Sequence, residues 1–269
     1  YLKLHQEGKL DLDAKINTID PQLPVAYKDI TFRHLLTHTS GIRHYKGKKD
    51  WVSFSDMRCA SPREALSHFI NDPLEAQAGE KEIYTTYGMV LASHLLEKLT
   101  DKSYVDALND LLPFTADLLL DGEGKEKATP YIKKKKKFNE YTDLSAECKF
   151  GGGGLIGSSD DLVEAGKILY SESVINLEEL KSLFRSDWEE GKTGGVSFAI
   201  GAGIAQKSFG PEPVLYSAVG GASPGGRSYL LVLADLKIAV AITTNCEGDG
   251  QDAFDLAIAV AKKIGRIEE

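Results

Sequence analysis

The chain has 269 residues, 42% hydrophobic and 27% charged, with a net charge of −8. That length suits one large domain or two closely packed ones, and the negative balance argues against a nucleic-acid partner. No window approaches the run of about 18 apolar residues needed for a transmembrane segment. Three cysteines, Cys59, Cys148 and Cys246, are far apart and odd in number. They give neither a disulfide framework nor a metal spacing, imply no cofactor, and favour a reducing compartment while leaving an oxidising one open.

In chain order, residues 1–13 (YLKLHQEGKLDLD) read as the last turns of a helix ending near Gly8. No capping residue opens that helix, so sequence upstream of Tyr1 is expected. Residues 14–30 are broken by prolines, and RHLL starts a short helix running into THTSGI. Residues 62–71 open with proline and carry apolar residues at 65, 66, 69 and 70, which predicts a helix. Residues 84–99 carry a wide buried stripe through Met89, Val90, Ala92, Leu95, Leu96 and Leu99, and 103–112 predict another helix. The polar stretch 121–149 reads as a loop or exposed hairpin. After GGGG at 151–154, Ser158 or Ser159 caps a helix with acids in its first turn. A short helix over 177–185 precedes β-rich runs at 196–206, 214–221, 228–235 and 238–245, the last three spaced for antiparallel hairpins. A final helix over 251–265 places Phe254, Ala257, Ile258, Ala261 and Ile264 on one face. The pattern predicts an α+β fold, an antiparallel sheet covered by helices.

The segment LLTHTSGI at 35–42 packs a His, two Thr and a Ser together. Such hydroxyls commonly bond backbone at helix ends, and His34 or His38 on an apolar segment reads as a satisfied core histidine. No acid is placed nearby in sequence to orient an imidazole as a triad requires.

Several stretches taken together, GKLDLD at 8–13, ITFRHLLTHTSGI at 30–42, AGEKEIYTTYGMVLASHLLEKLTDKSY at 78–104, and the glycine run with GSSDDL at 151–162, resemble the serine β-lactamase-like, penicillin-binding hydrolases. The Lys-rich loop followed by the glycine run looks most like their mitochondrial branch. The resemblance implies a β-lactamase/transpeptidase-like fold with an inserted helical subdomain: residues 1–39 with 151–269 forming an α/β subdomain, and 40–150 a mainly helical one. It also implies that LLTHTSG is a structural turn beside the site, and that the chain is mitochondrial.

The family chemistry requires Ser-x-x-Lys at a helix start, where a lysine one turn on takes the serine proton. No serine here has a Lys three places on; in Ser40-Gly-Ile-Arg43 and Ser55-Asp-Met-Arg58 an Arg stands there, and arginine does not deprotonate at usable pH. The resemblance implies a nucleophile before Tyr1. The second motif, Tyr-x-Asn, is matched by Tyr84-Thr85-Thr86, which keeps the phenol as a base remnant but lacks the substrate-binding amide at Thr86. The third is Lys/His-Thr/Ser-Gly on a strand, supplying a carboxylate anchor and an oxyanion N–H. A literal Lys192-Thr193-Gly194 exists, but strand order places the motif at Ala218-Val219-Gly220-Gly221. There the cation is Ala218, the hydroxyl is Val219, and Gly221 is left to supply the oxyanion N–H.

The GGGG run lacks the Lys-Ser/Thr of a phosphate loop and reads as close backbone packing. The lysine run Lys133–Lys137 reads as a solvated loop, with an anionic lipid or protein surface as the sharper alternative. Two functions remain: a degenerate family member, weakly active or silent, serving as an assembly subunit or in a larger complex; and an active serine peptidase or esterase acting on a small peptide-like or ester substrate.

Overall fold

A computed structural model describes residues 1–112, 119–120, 127–134, 137–141, 145–171, 176, 197–199, 202–208, 213–246 and 250–265. It divides into two compact units, of which the first comprises residues 1–113, 118–124 and 144–156 and the second comprises 114–117, 125–143 and 157–269. The expected helix over 177–185 and the Lys192-Thr193-Gly194 string lie outside the described residues.

The first unit is helical. Helix α1 (Leu2–Gln6) buries Leu2 and Leu4 and ends at Gly8, whose φ of +68° suits glycine. Two 3₁₀ turns follow, and α2 (Phe32–Leu36) starts at a capping box. There Thr31 Oγ1 accepts the His34 N–H and His34 Nδ1 accepts the Thr31 N–H, both at 3.2 Å. Helix α3 (Lys48–Ser55) falls on a stretch whose lysines gave no sequence signal, and it is held by burial of Phe54 and Ser55. Helix α4 (Pro62–Leu66) is shorter than the predicted 62–71 and continues as turns. Helix α5 (Thr86–Thr100) is the centre of this unit, with Tyr87, Val90, Leu91 and Leu95 fully buried, and α6 (Tyr104–Leu111) follows it. Strands β1 (Leu119–Leu120) and β4 (Leu155–Ile156) form a two-residue antiparallel pair.

Contrary to the sequence expectation, Cys59 and Cys148 form a disulfide across 89 residues. Helix packing brings the loop after α3 to the 3₁₀ turn Glu147–Gly152, a proximity that spacing alone does not reveal. Such a bond fits the oxidising alternative, because structural disulfides form and persist in oxidising environments. Cys246 lies outside this bond.

The second unit is a meander. Strands β5 (Ser197–Ala199), β6 (Ala202–Ser208), β7 (Pro213–Ser223), β8 (Gly226–Leu233) and β9 (Ile238–Thr244) lie in that order, each antiparallel to the next. The run at 196–206 is thus two strands. Strand alternation sends successive side chains to opposite faces. Leu231, Leu233, Ile238, Val240 and Ala218 form one apolar cluster with Ala257 and Ala261 of the closing helix (Gly250–Gly265). Leu230, Val232 and Ala239 line the other face and meet Gly166 of helix α7 (Ser159–Lys167). The sheet is covered by a helix on each side. Ser158 caps α7 reciprocally with Asp161. On the closing helix, Ala257 and Ala261 are buried as expected but Ile264 is 60% exposed, so the apolar face ends one turn early. The polar stretch forms a hairpin of β2 (Tyr131–Lys134) and β3 (Lys137–Glu140).

Candidate functional site

In the first unit Tyr84-Thr85-Thr86, the stretch matched to the second motif, lies at the N-terminus of α5. Thr85 is the N-cap: its Oγ1 accepts the Gly88 N–H and donates to the Arg43 carbonyl at 2.6 Å. Tyr84, one residue earlier, is 48% exposed, whereas Thr86 is buried. The tyrosine is bracketed by the LLTHTSG turn. The Ile83 N–H donates to the His38 carbonyl at 2.7 Å, and the Thr85 N–H donates to His38 Nδ1 at 3.2 Å. The His38 ring packs on Tyr84 with centroids 4.8 Å apart. His44 repeats the device one residue on, its Nδ1 accepting the Thr86 N–H at 3.2 Å and its ring edge-on to Tyr84 at 5.2 Å.

Both imidazoles accept through Nδ1, so each is neutral with its proton on Nε2. Burial, with His44 beside it, lowers His38 from 6.5 to about 4. Burial also lowers His44, against the pull of Asp50. These histidines fix the backbone on either side of Tyr84.

The turn itself is locked by close packing. Gly41 has φ +76°, and a Cβ there would lie 2.1 Å from the Ala76 carbonyl oxygen. The Gly79 N–H donates to the Thr39 carbonyl and the Glu75 N–H to the Gly41 carbonyl, both at 2.8 Å. The motif therefore aligns the 75–85 segment that delivers Tyr84.

Beneath it lies a charge network that sequence reasoning missed. Arg43 is 4% exposed, pairs with Asp50 at 2.6 Å and with Asp72, and stacks over the Tyr87 ring at 4.8 Å. Asp50 also accepts from the Lys46 N–H, Tyr87 and His68. Burial raises its carboxyl, but these donors outweigh that and hold it at about 2. The charge is shared, as burial of an arginine demands. Sequence spacing carries no signal for it; only the fold brings 43, 50 and 72 together.

The glycine run packs against the same helix. A Cβ on Gly152 would lie 2.8 Å from both Thr86 Cγ2 and the Thr86 carbonyl oxygen, and the Gly151 N–H donates to Ser93 Oγ at 3.0 Å. Close backbone packing explains the glycines without a phosphate.

In the second unit the stretch matched to the third motif lies on β7, with Ala218, Val219, Gly220 and Gly221 opposite Leu231, Leu230, Tyr229 and Ser228 of β8. Ala218 is 9% exposed and belongs to the cluster beneath the closing helix. Val219 points to the other face and is 46% exposed; Gly220 and Gly221 are exposed. No group of three or more His, Cys, Asp or Glu among the described residues has a metal-binding arrangement.

The chain is 24% identical over 247 residues to the human serine beta-lactamase-like protein LACTB, mitochondrial, an alignment covering 64% of this chain and 45% of that protein. It thus spans less than half the length of that relative. In structure it is similar to a D-stereospecific amidohydrolase from Streptomyces sp. (TM-score 0.77, 21% identity, 95% of this chain and 81% of the other). It also resembles the octameric penicillin-binding protein homologue from Pyrococcus abyssi (TM-score 0.74, 21% identity, 99% and 63%). The family profile described as Beta-lactamase matches residues 1–263, and the chain belongs to that family of serine hydrolases.

Proposed function

We propose that this chain carries a degenerate β-lactamase-like site, weakly active or silent, and serves as a structural or assembly subunit. The observation that carries this is on β7: alanine stands where the family places a cation, and that alanine is packed in the core. The neighbouring hydroxyl position is Val219, so neither group needed to hold a substrate carboxylate is present. Such anchors act with the oxyanion donors, of which a single loss typically costs about 100- to 1,000-fold in rate. Thr86 replaces the substrate-binding amide and is buried against the glycine run. The octameric state named for the Pyrococcus abyssi homologue supports an assembly role, and the mitochondrial relatives support that location.

A second reading, an active serine peptidase or esterase for small uncharged substrates, is favoured by Tyr84. Its ring is held between two neutral histidines at the exposed start of α5, the placement a proton-transfer group needs. Residues 1–269 contain no Ser-x-x-Lys, so no nucleophile is assigned. The test is intact mass spectrometry of the natural protein after a fluorophosphonate probe. Absence of an adduct, together with a stable oligomer by light scattering, supports the first reading. A single serine adduct with turnover of an uncharged p-nitrophenyl ester overturns it in favour of the second.

A further inference from the structure

We infer that the hairpin of β2 and β3 is a docking element for an anionic lipid surface. Its base is fixed. The Tyr131 N–H donates to the Asn245 carbonyl at 2.8 Å, Asn245 Nδ2 donates to the Thr129 carbonyl at 3.0 Å, and Tyr131 bridges Cys246 in parallel. Beyond Tyr131 and Ile132, every described residue of the two strands is exposed.

The far end concentrates positive charge in a chain of net charge −8. Lys134 and Lys137 are directly opposite each other, and the next pair is Lys133 and Phe138. The two lysines between them lie outside the described residues. Like charges directly across a strand pair are unfavourable, and none of the three ammoniums has a carboxylate partner among the described residues. A negatively charged surface relieves that repulsion. Phe138 is 60% exposed, with Lys133 Nζ 5.9 Å from its ring centroid. An aromatic beside lysines on a rigid projection matches the interface of a bilayer, where the ring enters the headgroup layer and the ammoniums meet phosphates. A purely electrostatic polyanion, such as duplex nucleic acid or an acidic protein, gives the phenylalanine nothing to do. The net negative charge elsewhere also opposes a long polyanion, whereas attraction to a flat surface acts locally, within about 10 Å at 0.1 M salt.

The test is sedimentation of the full-length protein with vesicles of phosphatidylcholine alone and of phosphatidylcholine with equal phosphatidylserine. Binding only to the anionic vesicles, lost as salt rises from about 0.1 M to about 1 M, is expected. Each lysine near such a surface is worth about fivefold in affinity, so K133A/K134A/K137A should weaken binding about a hundredfold. Phe138→Ser should weaken it further while leaving its salt dependence intact. Unchanged thermal midpoints verify folding, and Lys137→Ala alone carries the test if the triple variant does not fold. No vesicle binding, or equal binding by the lysine variant, overturns the proposal. So does tighter binding to duplex DNA or polyglutamate that Phe138→Ser leaves untouched.

Discussion

His38 accepts the Thr85 backbone N–H through Nδ1 at 3.2 Å, and this bond ties the LLTHTSG turn to the start of α5. The bond requires a neutral imidazole, and His38 is held at about 4 against an ordinary 6.5. A base whose folded value is depressed binds its proton more readily when unfolded. The folded state therefore keeps the full contribution above pH 6.5 and loses it as pH falls toward about 4. At most about 3 kcal/mol is at stake, and His44, also lowered, adds with the same sign. His38→Asn keeps an acceptor and tolerates the φ of +56° without titrating in this window. Urea unfolding across that pH range should give a shallower fall for the variant than for the parent chain. Equal slopes would show that His38 is not the group responsible.

Gly41→Ala should cost about 2–4 kcal/mol, because strain at positive φ adds to a direct clash with the Ala76 carbonyl. Gly8→Ala is the control: φ is similar at +68°, but nothing lies within 4 Å of its Cβ position. The control should cost only about 1 kcal/mol. Urea midpoints measure both, and equal losses would remove the clash from the explanation.

Removing the disulfide by Cys59→Ser should destabilise the chain by about 2–4 kcal/mol, since it closes an 89-residue separation. Reduction of the parent chain should reproduce the loss. Hydrogen exchange should localise the loosening to the turn at 147–154, and a uniform change across α5 would contradict that.

How much of this was legible in the sequence depends on the range of the interaction. The strand order, the capping of α7 by Ser158 and the stripe of α5 follow local rules of periodicity and cap chemistry, and the structure has them. The glycine run reads correctly as close packing because glycine has one common reason to cluster away from a phosphate motif. The Cys59–Cys148 bond, the Arg43–Asp50–Asp72 network and the two histidines behind Tyr84 join residues 7 to 89 positions apart. No local pattern encodes those pairs. Helix α3 escaped for a different reason: its start has no side-chain cap, and two buried residues on a charged stretch hold it.

Tyr84→Phe separates the two functional readings in the natural full-length protein. With the ring 48% exposed, loss of the hydroxyl should change stability by less than about 0.5 kcal/mol. If the phenol transfers a proton, kcat on an uncharged p-nitrophenyl ester should fall about 100- to 10,000-fold. If the site is silent, the small background rate should be the same in both proteins.

Ala218→Lys tests whether the family cation can simply be restored. Ala218 is 9% exposed beside Leu231, Ala257 and Ala261, so the new ammonium must be desolvated or push through the packing of the closing helix. The expected cost is about 2–4 kcal/mol. Val219→Thr, at a half-exposed position, should cost less than about 0.5 kcal/mol. Thermal midpoints give the two numbers, and an assay with carboxylate-bearing and neutral esters gives the functional consequence. A lysine variant that folds as well as the parent and gains activity on the anionic ester would mean that β7 readily presents a cation to substrate. The degenerate reading would then rest on Val219 and Thr86. The expected outcome is an unstable variant with no such gain, because the helix that covers this face needs a small apolar residue at 218.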